Sequence, residues 1–126
     1  MTRYVLDTSI LIGADPGDIE GAISVASLAE LHLGTLMARD PDEQARRALR
    51  LGVIEASFDP FPVDPAVARE WGRLAAAVSS RGGQPRRRAI DLVIAATANV
   101  RGVPLLTGDR DDFTIIEDLV DVRVAA

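Results

Sequence analysis

Apolar residues follow two rhythms along the chain. Tyr4-Val5-Leu6, Ala22 to Val25, Val103 to Thr107 and Val122 to Val124 are short runs without regular polar alternation. That is the pattern of strands buried on both faces. Helical spacing fills the stretches between them. Ile10 to Gly13 reads as a short helix that Asp7-Thr8-Ser9 can cap. Ser27 to Met37 places Leu28, Leu31, Leu33 and Leu36 at helical intervals, with Ser24 or Ser27 as the cap. Asp40-Pro41 opens a helix to about Ala56, with Asp42 and Glu43 in its first turn, and Asp64-Pro65 opens another to about Ser80. Val67, Trp71, Leu74 and Val78 form the stripe of the latter. Ala89 to Val100 is the most apolar helix, with Ile90, Val93, Ile94 and Thr97 on one side and Gly102 as its closing cap.

The connections carry the usual turn formers. Asp15-Pro16-Gly17-Asp18 reads as a loop, and Phe58 to Val63 as an extended piece broken by prolines. Arg81 to Arg88 reads as a flexible basic loop and Gly108 to Phe113 as a turn. Strands that alternate with helices predict an α/β fold: three layers, α/β/α, around a short and mostly parallel central sheet. No repeat or linker interrupts the pattern, so residues 1–126 read as a single domain.

Composition narrows the chemistry. Hydrophobic residues make up 48% and charged residues 26%, which suits a globular chain. No apolar run reaches the roughly 18–20 residues of a membrane helix, and the N-terminus lacks a leader pattern, so a cytoplasmic protein is expected. Zero cysteines and one histidine, His32, exclude a thiolate or histidine-rich metal site. A bound metal must then be held by oxygen, which points to magnesium or manganese. The net charge of −5 argues against a general electrostatic grip on nucleic acid, unless the acids gather in one pocket and the bases elsewhere.

The acids do recur at strand ends. Asp7 follows the first strand, Glu30 lies in the helix after the second, Asp91 opens the most apolar helix, and Asp109 follows Leu105-Leu106. Ligands of open α/β sheets bind outside the carboxyl ends of the strands. Asp7 also fits a plain helix cap, and Asp91 a plain first-turn acid favoured by the helix dipole. Glu30 and Asp91 are harder to explain that way, because apolar neighbours surround both and an unpartnered buried carboxylate is costly. A cation joining several carboxylates would relieve their repulsion. Magnesium held by such acids could polarise a phosphate, and two ions about 4 Å apart could serve both sides of an in-line displacement. Thr8, Ser9 and Thr107 are placed to orient the carboxylates.

LDTS at 6–9, ISVASLAEL at 23–31, AIDLVIAATA at 89–98 and LLTGDRDDF at 105–113 resemble the four motifs of the PIN domain. Their order and context resemble most the VapC-type ribonuclease toxins of VapBC toxin–antitoxin modules, over essentially the whole chain. The resemblance implies four acids, matched here by Asp7, Glu30, Asp91 and Asp109, with Asp112 as an assisting acid. It implies RNA cleavage dependent on magnesium or manganese, homodimers, and a VapB-type antitoxin as inhibitor. The stretch from Asp7 to Glu30 is shorter than is common in that family, which reduces the helical clamp there.

Other features fit around this reading. Arg86, Arg87 and Arg88 stand just before Asp91, and they are either a solvated loop or a contact to RNA phosphates. Arg39, Arg46, Arg47 and Arg50 suit a solvated helix face or a contact to a partner, His32 a surface group or an orienting donor, and Trp71 and Met37 core or dimer packing. A phosphatase of the haloacid-dehalogenase kind needs a second Asp two residues after Asp7. Ser9 stands there, and all 14 basic residues are arginine, so the catalytic lysine is also missing. The remaining alternative to a nuclease is a catalytically inactive PIN-like module that binds RNA or protein.

Overall fold

Three parallel strands form the spine of the molecule. In the computed structural model, which describes residues 3–13 and 20–125, they are β1 (Val5–Leu6), β2 (Leu105–Thr107) and β3 (Val122–Val124), in that order across the sheet. Val5 pairs with Leu105 and Leu105 with Val122; Leu6 pairs with Leu106 and Leu106 with Arg123. Successive side chains of a strand point to opposite faces. Val5, Leu105 and Val122 therefore join one core, with α4 (Pro65–Ser80) and α5 (Ala89–Arg101), through Val67, Leu74, Leu92 and Ile94. Leu6 and Leu106 turn to the other, where α1 (Thr8–Gly13), α2 (Val25–Leu36) and α3 (Pro41–Ser57) contribute Ile10, Leu11, Leu28 and Ile54. This is the three-layer arrangement that the alternation of elements predicts.

The capping signals work as expected. Asp40 accepts the Glu43 N–H and Asp64 the Val67 N–H, each with proline at the start of the helix. Gly102 closes α5 with φ +67°, a left-handed conformation in which a side chain would be strained.

Three expectations are corrected. The strand expected over Ala22 to Val25 shrinks to single parallel bridges, Ala22 to Val5 and Ser24 to Phe61. Ser24 accepts the Ala26 N–H and starts α2 at Val25, so the chain turns helical before a ladder can extend. The basic loop contains a 3₁₀ turn, Pro85–Arg88, and the turn after β2 is a longer 3₁₀ segment, Arg110–Ile116. Those three aside, the leucine stripe of α2 is only half covered, as befits a helix with more apolar surface than one small sheet can shield. Leu28 and Leu31 pack on the second core, while Leu33, Leu36 and Met37 are 62%, 73% and 70% exposed. A three-residue strand spans about 10 Å and the 12-residue α2 about 18 Å, so the sheet cannot shield the whole helix. The loop expected at Asp15 to Asp18 lies outside the described residues. No helix among the described residues is long and apolar enough to cross a membrane.

Candidate active site

Parallel pairing brings the acids to one edge. With Leu6 beside Leu106, the next residues of the two strands, Asp7 and Thr107, must be neighbours. The Asp7 N–H donates to the Leu106 carbonyl at 2.8 Å, and the Thr107 hydroxyl donates to Asp7 Oδ2 at 2.8 Å. The chain leaves α5 through Gly102 and runs into β2, so the N-terminus of α5 lies at the carboxyl end of the sheet. Asp91 sits in its first turn. Glu30 follows one and a half turns into α2, on the same side.

Hydroxyl groups hold two of these carboxylates. Asp7 is 3% exposed, and its Oδ2 also accepts from Ser9 Oγ at 2.7 Å. Ser9 in turn accepts the Gly108 N–H at 3.0 Å, and Thr107 accepts the Asp109 N–H at 3.1 Å. The loops after β1 and β2 are thus locked together around one carboxylate. Thr8 donates to Glu30 Oε1 at 2.6 Å and touches Ser27 Oγ at 3.0 Å. Thr8, Ser9 and Thr107 each donate to one of the two carboxylates. Ser27, fully buried three residues before Glu30, was not expected in this network. A serine inside an apolar helical face, one turn from an acid, is the signal that could have found it.

The acids feel one another's charge. Burial pushes the Asp91 carboxyl up to about 7, and the charges of Asp7, Asp112 and Glu30 push in the same direction, while Arg88 opposes them. Asp112 is also raised, first by its burial and then by Asp109 and Asp7, again with Arg88 opposing. Asp109 is placed differently from the other expected acids. It is exposed, and its Oδ1 accepts the Asp111 N–H and caps the following 3₁₀ turn. Its charge bears on Asp112. His32 lies outside the cluster, paired at the surface with Glu55 at 2.6 Å.

Among the described residues, no three acids stand together as a ready-made ligand set for one ion. Repulsion accounts for this, since several carboxylates without a cation between them do better apart. In kind, the donors fit a hard divalent cation: all are carboxylate oxygens, and Asp7 and Glu30 are held in place by hydroxyls. Arg87 and Arg88 join Asp91 and Asp112 around a cavity of about 390 Å³, whereas Arg86 is exposed and does not line it.

A parallel sheet whose carboxyl edge gathers acids from β1, α2, α5 and the turn after β2 defines a class, and residues 4–119 match the PIN domain family model. The chain belongs to the PIN domain family. It is 36% identical to ribonuclease VapC5 of Mycobacterium tuberculosis, over 95% of this chain and 92% of that protein. It is 37% identical to ribonuclease VapC4 of the same organism, over 86% and 88%. It superposes with a TM-score of 0.81 on the crystal structure of VapBC-5 from M. tuberculosis, a member of the VapBC family of toxin-antitoxin systems, at 35% identity and 98% coverage of both chains. VapBC2 from Rickettsia felis, solved with a promoter DNA fragment, shares the fold at a TM-score of 0.76 and 20% identity.

Proposed function

We propose that this chain is the toxin of a type II toxin–antitoxin module, a metal-dependent endoribonuclease restrained by a VapB-type antitoxin. The observation that carries the reading is the convergence of Asp7, Glu30, Asp91 and Asp112 on one sheet edge, in a chain about a third identical to proteins named as VapC ribonucleases. All four acid positions of the motifs, Asp7, Glu30, Asp91 and Asp109, are filled, which argues against the inactive module.

Asp7, Glu30, Asp91 and Asp112 would hold Mg²⁺ or Mn²⁺, with Asp109 supporting through Asp112. Such a cation supplies a Lewis acid for the phosphodiester and makes water a usable nucleophile at neutral pH. Ser9 and Thr107 fix the direction in which Asp7 presents its free oxygen, and Thr8 does the same for Glu30. Cleavage leaves 5′-phosphate and 3′-hydroxyl ends. The antitoxin inhibits by placing a basic side chain among the carboxylates. The protein works in the cytoplasm, where its RNA lies.

The purified chain is expected to cut RNA in magnesium or manganese and to stop in EDTA, read as product bands on a denaturing gel. Full activity in EDTA would overturn the metal requirement. The outward Leu33, Leu36, Met37 and Leu49, each more than half exposed, support a homodimer. Light scattering after size exclusion should give twice the chain mass, and the mass of one chain would refute it.

A further inference from the structure

The ribonuclease reading leaves open how a strand of RNA, itself anionic, approaches a cluster of carboxylates. We propose that the cavity between the Gly82–Gly83 turn and Asp112 is a phosphodiester subsite for single-stranded RNA, with Arg87 and Arg88 as its phosphate-binding groups. The inference rests on that reading and adds to it the place where the backbone is held.

Arg88 carries the geometry. It is half-buried and lines the cavity, and its Nη1 donates to the Asp112 carbonyl at 2.7 Å. A guanidinium next to carboxylates ordinarily forms a two-pronged ion pair with one of them. Among the described residues Arg88 makes no ion pair, although its charge acts on both Asp91 and Asp112. The carbonyl ties one nitrogen and leaves the other donors of the fork unspent. Arg87 lines the same cavity, and its guanidinium has no partner among the described residues. Two cations with spare donors at the mouth of an acidic cluster suit a phosphate, whose oxygens match the guanidinium fork.

The turn that carries them is firmly seated. A Cβ at Gly83 would lie 2.7 Å from Ile115 Cδ1 and 2.7 Å from Val78 Cγ1. A side chain there would have to push Val78 and Ile115 aside, so glycine suits the close approach of this turn to α4 and to the segment that holds Asp112. Arg86, one residue earlier, faces solvent outside the cavity.

The test is the binding of a short fluorescent single-stranded RNA of mixed sequence by the full chain in EDTA, where no strand is cut, followed by anisotropy across a salt series. Arg87→Ala and Arg88→Gln should each weaken binding and each flatten the log–log salt slope by about 0.7, the share of one phosphate contact. Arg69→Ala, which removes a charge from the solvent face of α4, should keep the wild-type slope. Arg88→Lys guards against a folding artefact: it should keep the slope and lose affinity, because it keeps the charge and loses the fork. Wild-type slopes for both Arg87→Ala and Arg88→Gln, or a wild-type chain that does not bind the RNA, would overturn the subsite. The ribonuclease reading fails separately, on absence of cleavage in magnesium or manganese.

Discussion

Asp7→Asn is expected to lower the rate of RNA cleavage by at least about 10²-fold, the loss that follows removal of one group that stabilises charge at the reacting centre. The protein should stay folded. Asp7 is 3% exposed at the end of β1, so the change is made inside the molecule. Yet both hydrogen bonds to its Oδ2, from Ser9 and Thr107, can be kept by an amide oxygen of the same shape. What is lost is the negative charge. That charge repels the Asp91 carboxylate, and its removal relieves the repulsion. Activity and stability should therefore part company, with cleavage abolished and the melting temperature equal to wild type or above it. Thr107→Val gives a graded comparison. It leaves the carboxylate but removes one of its orienting hydroxyls, and a loss of about 10–100-fold is expected, as for other partners that orient a metal-binding group. Initial rates in magnesium, with melting curves of the same samples, check both. An Asp7→Asn protein that cuts RNA within a few-fold of wild type would sink the assignment.

The parts of this site that were legible in the sequence are those fixed by local pattern. A strand-like run that ends on Asp7, and another that ends on Thr107, need only parallel pairing to become neighbours, and parallel pairing follows from the alternation of elements. Asp91 and Glu30 stood out because each is an acid among apolar residues. The sequence could not rank Asp109 against Asp112. The two lie three residues apart, and the 3₁₀ turn at Arg110–Ile116, which leaves Asp109 as its exposed cap and makes Asp112 half-buried, has no hydrophobic period of its own to announce it. Ser27 escaped for a related reason: serine suits caps, and its role depends on Thr8 arriving from another element. Periodicity also showed that α2 carries more apolar surface than one small sheet can cover, and Leu33 and Leu36 are left exposed.

The second large effect concerns pH. Without metal, Asp91→Asn is expected to be more stable than wild type near neutral pH, and the advantage should vanish in acid. Burial holds the Asp91 carboxyl at about 7 in the folded protein, against an ordinary value of 3.8, and Asp7, Asp112 and Glu30 add to the shift. Between those values the folded chain keeps a proton that the unfolded chain has released. Stability must then fall as pH rises through the window, since the folded state binds more protons there. The penalty is absent below about pH 4 and complete above about pH 7. An asparagine has no proton to lose, so the difference between the two melting temperatures should open across the same window and then level off. Asp112, raised for the same reasons, leaves part of the slope in the variant. A divalent cation should reverse the order. The ion needs the carboxylate ionised, so its stabilisation of wild type should grow from mildly acid to mildly alkaline pH, while Asp91→Asn gains less. Melting curves in EDTA and in manganese across that range measure both trends. A wild-type-to-variant difference that does not change with pH would show that Asp91 is not the strained acid of the cluster.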